Sequence, residues 1–107
     1  MPIIVVLAIS RRKRNLTQEQ LAQLSGRSQQ LIGKLEQGKA RGIGFDTLYR
    51  ICLAIGGEIG DVLAYLPSDP KLLEDAIFAL ARKLDCSVEE IFPHLPRDLW
   101  LAYRRSF

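Results

Sequence analysis

The chain of 107 residues is long enough for one small domain, or for one domain with an extension. Its 48% apolar and 25% charged residues are enough for a packed core and argue against a disordered chain. The net charge of +3 is unevenly divided: residues 1–41 hold eight basic and two acidic groups (+6), whereas residues 42–107 hold seven and ten (−3). The N-terminal part is therefore expected to face a polyanion.

The chain starts with the apolar run PIIVVLAIS, which is shorter than the about 20 residues needed to cross a bilayer. The basic residues Arg11 to Arg14 follow this run, whereas those of a signal peptide precede it. We therefore expect no export signal, no membrane span and a cytoplasmic protein, with Cys52 and Cys86 as reduced core residues. The β-branched residues Ile3 to Val6 predict a short strand, followed by a helix that carries the basic run.

Two further helices are predicted between residues 17 and 38. Thr17 and Gln20 have the spacing of a capping box, and Gly26 is placed to end the helix that they start. Ser28 can cap the next helix, which stops at Gly38.

The turn between these helices has the pattern of a helix-turn-helix. Ala22 is small enough for the second helix to approach the first, and Gly26 supplies the positive φ of a tight turn. Ile32 and Leu35 supply the buried face of the second helix. The alternative is an ordinary pair of antiparallel helices, which explains neither the charge asymmetry nor the polar face described next.

The helix that Ser28 starts has an unusual exposed face. At 100° per residue, Gln29, Gln30, Gly33, Lys34 and Gln37 fall within one arc. A face of amides and one cation, without an acid, is not typical of simple solvation.

The remaining chain is also predicted to be helical. FDTLYRICLAIGG forms an amphipathic helix that ends at Gly56, and EIGDVLAYLP forms another short helix before Pro67. No segment after the N-terminal strand alternates for long enough to predict a sheet. RDLWLAYRRSF closes the chain as a short helix, so the predicted fold is mostly α.

Residues 68–107 contain a possible partial repeat of residues 47–67. A shift of 29 positions aligns TLYRICLAIGGEIGDVLAYLP with AIFALARKLDCSVEEIFPHLP, with Leu66-Pro67 over Leu95-Pro96. Ser87 and Glu90 add a second capping box. The alternative is a chance similarity between two amphipathic helices.

Residues Leu7 to Pro67 resemble the Cro/C1-type helix-turn-helix family of phage and bacterial repressors. The stretches LTQEQLA, SGRSQQLIGKLEQGK and DTLYRICLAIGGEIGDVLAYLP are similar to its signatures, in order. The resemblance implies a lambda-repressor-like, five-helix DNA-binding domain over residues 1–67. Residues 68–107 are then a helical extension.

The resemblance also implies roles for individual residues. Gln29, Gln30 and Lys34 match base-reading positions, and Gln18 matches a glutamine that holds a phosphate. Arg11 and Glu36 match a structural ion pair, so Arg11 is not expected to contact DNA. The residues expected to contact the DNA backbone are Gln18, Arg14, Arg27, Gln37, Lys39 and Arg41.

Two positions depart from the family pattern. Gln37 stands where the family usually has an asparagine, which weakens the expected phosphate contact near Gly38 and Lys39. Gly33 lies inside a helix, where glycine costs about 1 kcal/mol relative to alanine. It either allows a close approach of the helix to DNA or occupies a position where another residue would serve equally well.

These features predict a dimeric, sequence-specific DNA-binding regulator, in particular a repressor that reads a palindrome. His94 is the only histidine, so no His-based catalytic relay and no multi-His metal site can form within one chain. We expect neither an enzyme nor a cofactor. The alternative is an antitoxin or other interaction module whose residues 68–107 bind a partner protein. For the dimer contact we expect the extension, with the strand Ile3–Val6 as the second choice. The large apolar groups that suggest the extension are Phe78, Ile91, Phe92, Leu99, Trp100, Tyr103 and Phe107.

Overall fold

The computed structural model describes residues 3–105, apart from the side chains of residues 102, 103 and 105. It is mostly helical, with one two-stranded sheet, and the predicted fold class is confirmed. The elements in chain order are β1 (Ile3–Val5), α1 (Leu7–Lys13), α2 (Gln18–Ser25), α3 (Gln29–Glu36), α4 (Phe45–Ile55), a 3-10 turn (Ile59–Asp61), β2 (Leu63–Tyr65), α5 (Pro70–Leu84), α6 (Val88–Ile91), a second 3-10 turn (Phe92–His94) and α7 (Arg97–Arg105).

The predicted starts and stops of α2 and α3 are confirmed. The Thr17 hydroxyl accepts a hydrogen bond from the Gln20 backbone N–H at 3.0 Å, and the Gln20 side chain accepts one from the Thr17 N–H at 2.8 Å. Gly26 ends α2 in the left-handed conformation, with φ of 67°. The Ser28 hydroxyl accepts from the Leu31 N–H at 3.1 Å and starts α3.

Residues 58–66 differ from the prediction of a short helix. A single 3-10 turn takes the place of the fifth helix, and Leu63–Tyr65 forms β2. This strand pairs antiparallel with β1, with Ile4 opposite Ala64. The prediction was wrong because a strand partner lying about 60 residues away leaves no local pattern in the sequence.

The small sheet separates two hydrophobic cores. Because side chains alternate across a strand, Ile4 and Val6 face one core whereas Val5 faces the other. The first core lies under the extension and the second lies under the helix-turn-helix. The buried residues of the extension core are Ile4, Val6, Ile9, Leu66, Leu73, Ile77, Leu80, Ala81, Leu84, Ile91 and Leu99. Those of the helix-turn-helix core are Leu7, Leu21, Ala22, Ile32, Leu35, Leu48, Ile51, Ile55 and Val62.

The extension uses much of its apolar surface within the chain. Ile91 and Leu99 are buried, and the ring centroids of Phe92 and Trp100 lie 4.8 Å apart. The Tyr103 side chain and Phe107 lie outside the described residues. Ile91 and Leu99 therefore cover the chain's own core and are not available for the predicted dimer contact.

The two segments of the possible repeat share local backbone geometry. Gly56 and Asp85, 29 positions apart, both end a helix with positive φ, at 63° and 52°. Capping boxes follow each of them, at residues 58–61 and 87–90. The correspondence ends there, because β2 occupies the position that a 3-10 turn occupies in the extension. Separately, none of the helices within residues 3–105 combines the length and the apolar character of a membrane span.

Candidate nucleic-acid interface

The outer face of α3 forms one shallow concave surface together with the start of α2. Gln29, Gln30 and Lys34 are exposed on it, and their side chains point away from Ile32 and Leu35, which are buried. The residues that line this surface are Gln18, Gln29, Gln30, Gly33, Lys34 and Gln37. The structure thus brings together the three predicted base readers and two of the predicted backbone contacts.

Gly33 lies at the centre of this surface. A Cβ atom at this position would meet the Gln18 Oε1 atom at 3.8 Å, which is an ordinary van der Waals contact. Packing within the protein therefore does not require a glycine. The two interpretations made from the sequence, close approach to DNA and a freely variable position, both stay open.

A buried ion pair fixes the position of α3 relative to α1. The Arg11 Nε and Nη2 atoms donate to the two carboxylate oxygens of Glu36 at 2.7 and 3.0 Å. Both residues are only 9% exposed. The Gln18 Nε2 atom donates to the same carboxylate at 3.0 Å, and Arg11 Nη1 donates to the Leu16 carbonyl at 2.7 Å. All three guanidinium nitrogens of Arg11 therefore donate a hydrogen bond, and Glu36 orients the Gln18 amide at the edge of the α3 surface.

Arg27 links the helix-turn-helix to α4. Its Nη2 atom donates to the Asp46 carboxylate at 2.5 Å, and its Nε atom donates to the Thr47 hydroxyl at 2.9 Å. Hydrogen bonds from Arg50 and from Arg27 hold the pKa of Asp46 below its ordinary value. Asp46 and Thr47 were not predicted as partners of Arg27. The available signal was their position in the first turn of α4.

The remaining predicted backbone contacts divide into two groups. Gln37, Lys39 and Arg41 are exposed at and beyond the end of α3, where Gly38 has a φ of 71° and the Lys39 N–H caps the Lys34 carbonyl at 2.9 Å. Lys39 and Arg41 thus place two cations beyond the end of α3, whereas Gln37 lines the α3 surface itself.

Arg14 lies elsewhere. Its guanidinium donates to the Ile55 carbonyl and, at 3.1 Å, to the Ser10 carbonyl, and it lies 3.9 Å from the Asp61 carboxylate. The structure does not bring Arg14 together with the α3 surface, and its contacts tie α1 to the end of α4.

A cleft separates the end of α3 from the extension. It is lined by β1, by the segment from Glu36 to Gly38 and by Pro93 to Pro96. Burial, and secondly the nearby Arg12 cation, lower the pKa of His94, while Glu36 acts in the opposite sense. The extension therefore reaches the helix-turn-helix at the end of α3 opposite to Gln29.

The chemistry of the α3 surface suits the edges of nucleic-acid bases. A glutamine amide both donates and accepts, as adenine N6 and N7 require, and a lysine ammonium donates to guanine O6 or N7. Within the described part of the chain, no group of three or more His, Cys, Asp or Glu residues could hold a metal ion.

Comparison with known proteins gives one match. Residues 7–68, more than half of the chain, match the family described as Cro/C1-type HTH DNA-binding domain. No curated protein and no solved structure gives a significant match. The matched range begins at the first residue of α1 and ends just after β2, so it covers the whole helix-turn-helix core. The chain belongs to the Cro/C1-type helix-turn-helix DNA-binding domain family.

Proposed function

We propose that the chain is a sequence-specific transcriptional regulator that acts as a dimeric repressor and reads a palindromic operator through the major groove. The observation that carries this proposal is the acid-free surface of α3, with Gln29, Gln30 and Lys34 exposed side by side. The one acid on this helix, Glu36, is turned inward to Arg11. A negative charge on the outer face would repel phosphate, so its burial supports DNA as the ligand.

Around this surface we assign the phosphate contacts to Gln18, Gln37, Lys39 and Arg41. Gln18 is held at the first turn of α2 by Glu36, and the other three follow the end of α3. Such contacts set the register of the helix on the duplex, whereas the base contacts set the sequence. Arg27 is hydrogen-bonded to Asp46 and Thr47. We assign it the role of holding α4 against the turn between α2 and α3.

The experiment is the selection of binding sites from random duplex DNA, followed by a comparison of two lysine variants. Lys34→Ala should weaken binding to the selected site by about 1–3 kcal/mol and relax the preference at one base pair of each half-site. Lys71→Ala removes the same charge from an exposed position on α5 and should leave the preference unchanged. The proposal fails if no sequence is enriched, or if Lys34→Ala selects the same site with the parent affinity.

The alternative made from the sequence, a partner protein bound through residues 68–107, has less support. Two of the large apolar groups of the extension, Ile91 and Leu99, are buried in the chain's own core and are not available to a partner. We therefore do not adopt it as a second proposal.

A further inference from the structure

The strand β1 has one edge that is not paired with another strand. The Val6 N–H donates to the Val62 carbonyl at 2.8 Å, so in this antiparallel ladder Val6 and Ile4 point their backbone groups toward β2. Ile3 and Val5 alternate with them and therefore point their N–H and C=O groups to the opposite edge. The sheet has two strands, so no strand in the described part of the chain covers this edge.

The free edge of β1 lies in the cleft between the end of α3 and the extension. All residues of β1 line this cleft and none of β2 does, so the cleft lies on the unpaired side of the strand. One wall comes from residues 36–38 and Ala40, and the other from residues 93–96. The cavity volume is about 520 Å³, within the roughly 300–1,000 Å³ typical of ligand sites. We call this cavity the β1 cleft.

The shape of the β1 cleft favours a single extended chain over a folded partner. Strand pairing brings two backbones to about 4.8 Å, and the walls on both sides of β1 keep the bulk of a second copy of this protein further away. An extended peptide has no such bulk and would add a strand to the sheet by pairing with Ile3 and Val5. Its successive side chains would point alternately to the two walls, because side chains alternate across a strand.

The two walls differ in chemistry and so define the sequence of such a peptide. Pro93 and Leu95 give the wall on the extension side an apolar surface. On the α3 side, Lys39 and Arg41 flank Ala40 in the chain, and neither cation is in an ion pair with another described residue. A peptide in which apolar residues alternate with Asp or Glu would match both walls.

The other charged groups around the cleft do not oppose an acidic peptide. Glu36 lines the cleft, but its charge is neutralised by the buried ion pair with α1. Arg12 adds a further exposed cation near His94, whose pKa is lowered by burial and, secondly, by this charge. Arg97 and Asp98, which follow the apolar wall in the chain, carry opposite charges.

We propose that the β1 cleft is a docking site for an acidic, extended peptide segment of another protein, which joins the sheet as a third strand beside β1. The site adjoins the α3 surface, because Gln37 lines both. Lys39 and Arg41, which face the acidic side chains of the peptide, are among the residues that we assign to DNA phosphates. Peptide docking therefore weakens DNA binding, and this consequence rests on the proposed function.

The test is a titration of the full-length protein, without DNA, with the peptide Val-Glu-Val-Glu-Val-Glu-Val, blocked at both ends and followed by NMR. The Val5 amide should become protected from hydrogen exchange as the peptide binds, because it gains a partner. The Ile4 amide already points to β2 and should change little. The control peptide Val-Lys-Val-Lys-Val-Lys-Val should bind at least about tenfold more weakly, because it brings like charges to Lys39 and Arg41.

Two N-methylated versions of the acidic peptide separate strand pairing from simple charge attraction. Methylation at the odd or at the even residues removes the N–H groups of one peptide edge and leaves those of the other. One version should bind like the parent peptide, and the other at least about tenfold more weakly, because only one edge faces β1.

Variants of the protein locate the site. Lys39→Glu should weaken binding of the acidic peptide by at least about tenfold, whereas Lys71→Glu, at an exposed position on α5, should not. Ile3→Pro removes one outward N–H from the first residue of the strand, where proline is tolerated, and should also weaken binding. Ile3→Val keeps this N–H and is its control. The Ile3 side chain is 64% exposed, so both variants should retain the parent circular dichroism spectrum.

Three results would overturn the inference. They are no binding of the acidic peptide at about 1 mM, equal binding of the two N-methylated versions, and a Val5 amide that is already protected in the protein alone, as a second copy on the edge would make it. Because these measurements contain no DNA, they fail independently of the proposed function. A peptide that binds without lowering the affinity for a selected operator would refute the effect on DNA binding. A failure to select any operator would refute the proposed function and leave the docking site standing.

Discussion

Glu36 connects three helices through one buried carboxylate. Its carboxylate accepts two hydrogen bonds from Arg11 and one from Gln18, and all three groups lie at the junction of α1, α2 and α3. The same acid therefore holds α3 in place and orients the Gln18 amide, to which we assign a phosphate contact. Burial makes this arrangement sensitive to the loss of one partner.

Replacement of Glu36 by alanine should lower the free energy of unfolding by about 3–5 kcal/mol, because it leaves the Arg11 guanidinium buried without its counter-charge. Urea denaturation without DNA measures the change. Glu19→Ala, an exposed acid in the first turn of α2, should cost less than about 1 kcal/mol. Equal unfolding midpoints for the two variants would contradict the role of Glu36. As a further check, Arg11→Met combined with Glu36→Leu should recover part of the lost stability, since neither charge is then left alone.

Gly33→Ala separates the requirements of folding from those of DNA binding. The added methyl group meets nothing closer than Gln18 Oε1 at 3.8 Å, so the helix should gain about 1 kcal/mol and the melting temperature should rise. The affinity for the selected operator is then the deciding measurement. A more stable variant with weaker operator binding would support a close approach of the α3 backbone to the bases. Unchanged affinity would favour a freely variable position, and a lower melting temperature would contradict the prediction itself.

At the scale of the elements, the parts that sequence predicted are those governed by local rules. The capping box at Thr17, the left-handed Gly26 and the cap at Ser28 each depend on residues within a few positions. β2 depends on β1, which lies about 60 residues earlier in the chain, and the helical spacing of Ile59, Val62 and Leu66 was equally compatible with a helix. The packing of the extension could not be predicted for the same reason, because its apolar residues pack against Ile4 and Val6 at the other end of the chain.

Arg14 and Lys39 belong to different elements and should respond differently to alanine. Arg14 joins the end of α1 to the last carbonyl of α4 and to Asp61, so Arg14→Ala should lower stability by about 1–2 kcal/mol. It should leave the salt dependence of DNA binding unchanged. Lys39 is exposed after α3, and Lys39→Ala should leave stability unchanged and reduce the slope of log affinity against log salt by about one. If Arg14→Ala instead reduced the salt dependence and Lys39→Ala left it unchanged, the phosphate contact would belong to Arg14, as predicted from the sequence.

At the scale of the whole molecule, the extension core is built from residues at both ends of the chain. Ile4, Val6 and Leu66 come from the matched domain or the strand before it, yet they are buried under α5 and α7. A chain ending at Pro67 would expose these side chains together with Ile9. Each fully buried aliphatic side chain is worth about 1.5–3 kcal/mol. Burial of Ile4, Val6 and Leu66 therefore depends on the extension.

The two cores should consequently unfold in one transition. Trp100, the single tryptophan, reports on the extension core because its ring lies against Phe92, whereas far-UV circular dichroism reports on helices of both cores. In urea the fluorescence and dichroism curves should coincide. Leu73→Ala, at a side chain fully buried in the extension core, should move both curves to lower urea and cost about 2–5 kcal/mol. Leu72→Ala, at the exposed neighbour, should move neither.

If the fluorescence of Trp100 instead changed at lower urea than the dichroism, the extension would unfold while the helix-turn-helix core persisted. The shared sheet would then not couple the two cores, and operator binding should survive after the extension had melted.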